Sequence, residues 1–431
     1  MKKSVITKMI CAAVLFALAL NLTGCFLTEE KESESQSESS TNIDAEDLMA
    51  DVTQNDVTLP ENIDAESVKA ADFSLELFKE TNEDGKNTLI SPISVLYALS
   101  MTANGADGET LEQMESVLGM STEELNVYLH SYINSLPEGE KYKLSIANSI
   151  WFKDDGSINV NQGFLQINAD YYGADIYKAK FDGQTLKDIN GWVNNKTDGM
   201  IPEVLNEIPA EAVMYLINAL AFDAEWESPY SEFDVYDGKF TCENGTDVDV
   251  KMMRGEDGIY IEDEKASGFI KFYDGSKYAF VALLPNEGIS VSDYLSSLDG
   301  EALQVTLNNP IREATVYASI PKFTVEYDVE MSGVLKNMGM VDAFNSSSAN
   351  FSKLGQSSHG NIYINRVIHK TFIEVGELGT RAGAATVVEM DAECAPSVIK
   401  HVELNRPFVY MIVDTENMVP LFFGTLMDPG K

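Results

Sequence analysis

Cysteine is scarce in this chain, with four in 431 residues, and each has a separate setting. Cys11 lies in a leading apolar run, Cys25 just after it, and only Cys242 and Cys394 fall in the remainder. Two thiols make no disulfide framework and offer no metal-ligand spacing. Histidine is equally rare. His130, His359, His369 and His401 form no His-Glu-x-x-His pair, and the Gly-x-Ser-x-Gly, phosphate-loop and Gly-x-Gly-x-x-Gly patterns are missing too. Carboxylates are so abundant that pairs at suggestive spacings are expected by chance. The expectation is therefore no enzyme, no cofactor and no metal site. Basic charge is also short, with 30 Lys and Arg against 69 Asp and Glu, a formal net charge of −39. That balance argues against nucleic acid and against electrostatic docking on anionic lipid. Solubility in a salty exterior is its simplest meaning.

No apolar run is long enough for a membrane span. The longest leading one, residues 9–20, falls short of the roughly 20 residues that a transmembrane helix needs. Lys2, Lys3 and Lys8 precede it and Leu22-Thr23-Gly24-Cys25 follows, which together read as a secretory signal with a small-residue cleavage point. The four-residue pattern resembles a bacterial lipobox. Residues 1–24 are then a lipoprotein signal peptide, and Cys25 carries lipid that anchors the chain to the bacterial cell membrane, facing outward. A plain signal peptide is the alternative. Cleavage removes three lysines and takes the formal charge to −42. Residues 25–64 are acidic and rich in Ser and Glu with almost no aromatics, so they bury too little to order themselves and read as a flexible tether. Residues 65–431 form the folded body.

Within the body, residues 73–81 and 91–104 have helical spacing, the second opening on Ser91-Pro92 as cap and first helical residue. Residues 188–197 and 330–338 also read as helices. Residues 147–153, 214–226, 278–284, 316–320, 363–375, 408–414 and 421–426 read as strands, with Pro321 ending the 316–320 run. Strands spread this widely among helices predict an α+β body with more than one sheet.

Residues 377–394 carry the most information. Taken at period two, Thr380, Ala382, Ala384, Thr386, Val388, Met390 and Ala392 form one small or apolar side. Arg381, Glu389, Asp391 and Glu393 all fall on the other. This is the pattern of a half-buried strand, yet it is much longer than the usual 5–6 residues or so. It also opens on residues suited to a loop. A segment that is both suggests two destinations.

A series of motifs over roughly 350 residues resembles the serpin family. It includes Asn87-Thr-Leu-Ile-Ser91-Pro92-Ile-Ser94, Asn218-Ala-Leu-Ala-Phe222 with Trp226, and Ile320-Pro321-Lys322-Phe323. His369-Lys370 with Glu374-Val375-Gly-Glu377-Leu-Gly379-Thr380 and Asn405-Arg-Pro407-Phe408 continue it in family order. The resemblance implies a serpin fold of three β-sheets and about nine helices, with residues 377–400 or so as an exposed reactive-centre loop. It implies a monomer acting as a suicide-type inhibitor of extracellular serine or cysteine proteases. The target cuts the loop, forms an acyl-enzyme, and is trapped when the loop inserts into the central sheet. The residue pattern agrees, because side chains entering a sheet's interior must be uncharged. From Thr380 to Glu393 an extended strand spans about 46 Å, enough to carry a tethered protease across the molecule.

By position, the resemblance makes Glu377, Gly379, Thr380, Ala382 and Ala384 the loop's hinge. Ser91, Ser94, Asn218 and His369 match a polar cluster beneath the point where the sheet opens, and Lys322 and Glu377 a salt bridge near Trp226. Family spacing puts the cut between Glu393 and Cys394, which suits a glutamyl endopeptidase. A slipped register puts it after Ala392 or Cys394, with Ala395 beyond, which suits an elastase-like enzyme. A bridge from Cys394 to Cys242 is open. Departures from the family pattern are Gly376 and Leu378 at the edge of the hinge, Arg381, which is discounted because its side should face outward after insertion, and Asp223-Ala224 in place of the usual Lys-Gly. A non-inhibitory serpin-fold binding protein and a solute-binding lipoprotein remain as alternatives.

Overall fold

The computed structural model describes residues 43–60, 62–210, 212–381 and 398–430. Its largest sheet has seven strands: β1 (Glu46–Asp47), β2 (Tyr142–Lys153), β3 (Asp175–Ala179), β4 (Met214–Glu225), β5 (Phe323–Glu330), β6 (Arg366–Val375) and β7 (Gly379–Thr380). Their order across the sheet is β1-β3-β2-β4-β7-β6-β5. A six-stranded sheet contains the strands Phe408–Asp414 and Pro420–Leu426, a four-stranded sheet carries Val398–Glu403 on its edge, and a two-stranded sheet adds to the three expected. The described residues hold nine α-helices, so the mixed α+β expectation stands.

β4 is apolar on both faces, as a strand buried on both sides must be. Its inner face joins the main core with the six-stranded sheet. On the outer face Tyr215, Ile217 and Ala219 pack with Ile189, Trp192 and Val193 of the Gly183–Lys196 helix. Below the large sheet, all twelve residues of the Pro92–Ala103 helix are buried, which is the signature of a core helix without a solvent side. Proline does occupy its first turn, but the Ser91 side chain makes no cap hydrogen bond, so that part of the expectation fails.

Several boundaries differ from the sequence reading for identifiable reasons. The first helix is Asp64–Thr81, nine residues longer at its start than the apolar period indicated. Asp64 and Glu66 in its first turn favour the helix dipole without adding to that period. Pro321 does end its strand, as expected. Ala314–Pro321 belongs to the four-stranded sheet and β5 begins two residues later in the large sheet, so the proline marks a change of sheet with Lys322 at the junction. The tether expectation is corrected over its second half. Residues 43–60 lie against the body, with β1 paired antiparallel to β3 and Leu48 N–H donating to Ile176 O at 2.9 Å. Farther on, Asn55 donates from its backbone (2.8 Å) and side chain to the Asp170 carboxylate. The composition predicted disorder because the segment's average is acidic and polar, whereas the few apolar side chains it has, Ile43, Ala45, Leu48, Met49 and Val52, pack against the body's core clusters. Residues 25–42 lie outside the described residues, as does Cys25.

Replacing Asp170 by Ala should speed amide hydrogen exchange at residues 53–55 while costing global stability no more than about 1 kcal/mol, as for most surface changes. Unchanged exchange there would show that Asp170 does not hold this segment.

Candidate functional site

Three consecutive carbonyls define the upper end of the site. Beyond β6 the chain turns through Gly376, Glu377 and Leu378 and re-enters the sheet as β7. The Trp226 indole N–H donates to Gly376 O at 2.9 Å. Tyr230 N–H donates to Glu377 O at 2.9 Å, and Trp226 N–H to Leu378 O at 2.8 Å. Lys322 Nζ lies 2.7 Å from Glu377 Oε1, with both side chains about one-third exposed. Burial pushes the Glu377 carboxyl up, but the Lys322 hydrogen bond and charge outweigh it and leave it below its ordinary value. Such a half-exposed pair contributes roughly 1 kcal/mol or less, so its service is mainly geometric.

β7 is seated between β4 and β6. Thr380 lies opposite Val375 on one side and Ala224 on the other, antiparallel to both. Its side chain is fully buried, and its hydroxyl is 2.6 Å from the Tyr273 hydroxyl. Tyr273 in turn stacks on Trp226 with ring centroids 4.4 Å apart. Gly379 approaches β4 so closely that a Cβ there would lie 1.9 Å from Ala224 O, so only glycine fits at this backbone-to-backbone contact. The hinge residues Glu377, Gly379 and Thr380 are thus brought together with Trp226 and Lys322.

Below β7 the two neighbours meet directly. β4 and β6 pair in parallel from Tyr215↔Arg366 to Leu220↔Thr371. At the centre of this seam His369 lies opposite Asn218, and both are fully buried. Ser91 N–H donates to His369 Nε2 at 2.9 Å, so Nδ1 carries the proton and donates it to Asn218 Oδ1. The Asn218 amide donates to Ser94 Oγ and Asn148 Oδ1, and Ser94 Oγ donates to Asn148 Oδ1 at 3.3 Å. The four expected cluster members do meet. Ser91, however, contributes its backbone, and its hydroxyl has no hydrogen-bond partner among the described residues.

Sequence reasoning missed three participants. Asn148 sits opposite Asn218 in the β2–β4 register, and an asparagine, a residue depleted in strands, inside the run read as a strand was the available signal. Lys271 and Asp257 form an ion pair with both side chains 3% exposed. Asp257 also accepts from the Tyr230 hydroxyl at 2.6 Å, and Lys271 Nζ donates to Ser228 O at 3.1 Å. Burial lowers the Lys271 ammonium, with Asp257 acting against it. The pair stands directly behind Trp226 and Tyr230, the two residues that hold the hinge carbonyls. No spacing in the sequence links residues 257 and 271. Cys242 is buried. Ala382, Ala384, Ala392, Glu393, Cys394 and Ala395 lie outside the described residues.

A two-residue strand wedged between parallel neighbours in the middle of a seven-stranded sheet is the architecture of a serpin. The sequence model of the family described as Serpin (serine protease inhibitor) matches residues 68–429, and the chain belongs to that family. An uncharacterised serpin-like protein of Thermococcus kodakarensis is 30% identical over 367 residues, covering 83% of this chain and 84% of its own. Serpin B9 of Homo sapiens is 29% identical over 373 residues, covering 83% and 97%. Among solved structures, the thermophilic serpin Tengpin in its native state superposes with a TM-score of 0.86 at 49% identity, over 89% of this chain and 99% of that one. Tengpin in its latent state gives 0.75 at 46% identity, over 87% and 100%. This fold sets aside the solute-binding alternative.

Two outcomes are expected from the site. Replacing Gly379 by Val should unseat β7, seen as faster amide exchange at Thr380 and loss of Trp226 fluorescence anisotropy; unchanged values would refute the close-approach argument. Burial lowers the His369 imidazole from 6.5 to about 3, so the folded chain excludes a proton that the unfolded chain binds below pH 6.5. Stability should therefore be complete above that pH and fall toward pH 3, by at most about 1.4 kcal/mol per unit from this one group. Denaturant titrations from pH 7.5 to 4.5 should show a shallower decline in His369→Gln, and equal slopes would contradict the assignment.

Proposed function

We propose that the chain is a suicide-type inhibitor of extracellular serine or cysteine proteases, which traps the acyl-enzyme by inserting its cleaved loop into the large sheet. The observation that carries the reading is β7, already antiparallel to both β4 and β6 while these remain parallel to each other below it. A strand that lengthens from β7 exchanges one parallel seam for two antiparallel ones. Parallel pairing is slightly weaker per residue, and the number of interstrand seams rises by one, so insertion runs downhill once the loop is cut. The polar cluster at His369 and Asn218 must part for this to happen, and the intact seam keeps the sheet closed beforehand. The uncharged alternate side from Thr380 to Ala392 suits that strand. Names of relatives such as Leukocyte elastase inhibitor A of Mus musculus, 29% identical over 377 residues, favour a protease as partner.

Two parts of the proposal rest on the sequence alone: a scissile bond at Glu393–Cys394, and a lipid anchor at Cys25 holding the inhibitor outside the bacterial cell. Whole cells grown with labelled palmitate should label the chain, with Cys25→Ser abolishing the label.

The inhibitory reading is tested with the purified body and a panel including elastase and a glutamyl endopeptidase. An SDS-stable band at the summed mass is expected with at least one of them. Thr380→Arg should abolish it, because burying an unpaired charge costs several kcal/mol. Cleavage without that band for every protease would instead favour the non-inhibitory binding protein. Mass spectrometry of the released C-terminal peptide identifies the cut.

A further inference from the structure

The rung just beyond Thr380 concentrates charge. Continuing the β7 register by one residue sets Arg381 opposite Glu374 of β6 and Asp223 of β4. Directly opposed residues share a face of the sheet. Thr380, Val375 and Ala224 are all buried on the inner face, so Arg381, Glu374 and Asp223 share the outer one. The intact chain stops short of that rung. Arg381 has a φ of 49°, left-handed backbone that breaks the strand. Its N–H already donates to Glu374 O at 2.8 Å, while its guanidinium lies over the Phe372 ring at 5.8 Å. Asp223 is half-buried and ion-paired with none of the described residues. Its neighbour on the far side, Lys143, is paired with Asp198 instead. Arg381 and Asp223 are also among the places where the sequence departs from the family pattern near the hinge.

We propose that Arg381 is a positioning residue for loop insertion, leaving Phe372 and seating between Asp223 and Glu374 as the first step of strand growth. This rests on the inhibitory reading. The outer face of this rung holds two carboxylates, one on each flanking strand, and a cation entering between them meets both. Arg381 guides the first step, and the uncharged residues after it follow.

The test compares the unaltered chain with Arg381→Glu, Asp223→Lys and the double variant, each treated with elastase and with glutamyl endopeptidase. Two quantities are read: the ratio of cleaved product to SDS-stable complex, and the rate at which the nicked chain gains thermal stability. Each single variant places like charges on one rung and should raise the ratio and slow the gain about three- to fivefold, in line with cross-strand charge pairs. The double variant should recover at least half of either loss, a non-additivity that a merely structural role would not produce. Equal behaviour of all four chains, or simple addition of the two losses, overturns the proposal while leaving the inhibitory reading intact. An unaltered chain that gains no thermal stability after nicking refutes both.

Discussion

Everything distinctive about this molecule depends on one seam of parallel pairing in the middle of a sheet. β4 and β6 run the same way over the rungs from Tyr215↔Arg366 to Leu220↔Thr371, whereas every other pairing they make within the sheet is antiparallel. Parallel neighbours need a crossover, and here 140 residues of chain separate the paired ends, Glu225 and Arg366. The seam is therefore closed by tertiary structure, not by local turns. Its buried centre, His369 against Asn218, replaces apolar packing with hydrogen bonds that reach into the helix below through Ser91 and Ser94. Such a network holds a defined register but is costly if half-broken. The sheet is thereby committed to being fully closed or fully parted.

The hinge is held from outside the seam. Trp226 and Tyr230 grip the carbonyls of Gly376, Glu377 and Leu378, and the Lys271–Asp257 pair braces them from behind. An ion pair this deeply buried gains little net stability over apolar residues of the same shape, whereas loss of one partner is severe. Its value lies in fixing where the aromatic pair stands. Lys322, at the junction where the chain leaves one sheet for another, adds an outer contact to the same turn.

The fold was largely legible because the strongly periodic and apolar segments carried it: the 92–103 helix, β4, β6 and the two C-terminal strands. The hinge was legible through its small residues and its family motif. What escaped notice had physical causes. Helices such as Thr122–Ser135 mix polar and apolar residues so evenly that only their tertiary contacts decide them. The Lys271–Asp257 pair joins a strand to the residue just past another strand, a proximity that no local pattern encodes. Residues 43–60 adhere through backbone and amide hydrogen bonds and a few apolar side chains such as Leu48 and Val52, which an average composition does not weigh. Arg381 looked incidental because alternation placed it outward; only the register showed which acids it would meet there.

The short β1 pairing has a consequence for how copies of the chain behave at high concentration. A sheet able to accept another strand is a hazard wherever its margins are bare, since margins template association between molecules. Here β1 covers one margin along β3, and the opposite margin, β5, turns the exposed charges Glu326 and Asp328 outward. Both rims discourage recruitment of strands from neighbouring molecules. On the proposed insertion mechanism, appetite for an extra strand is thereby confined to the sheet's interior, where the chain's own tethered segment has the advantage of effective concentration.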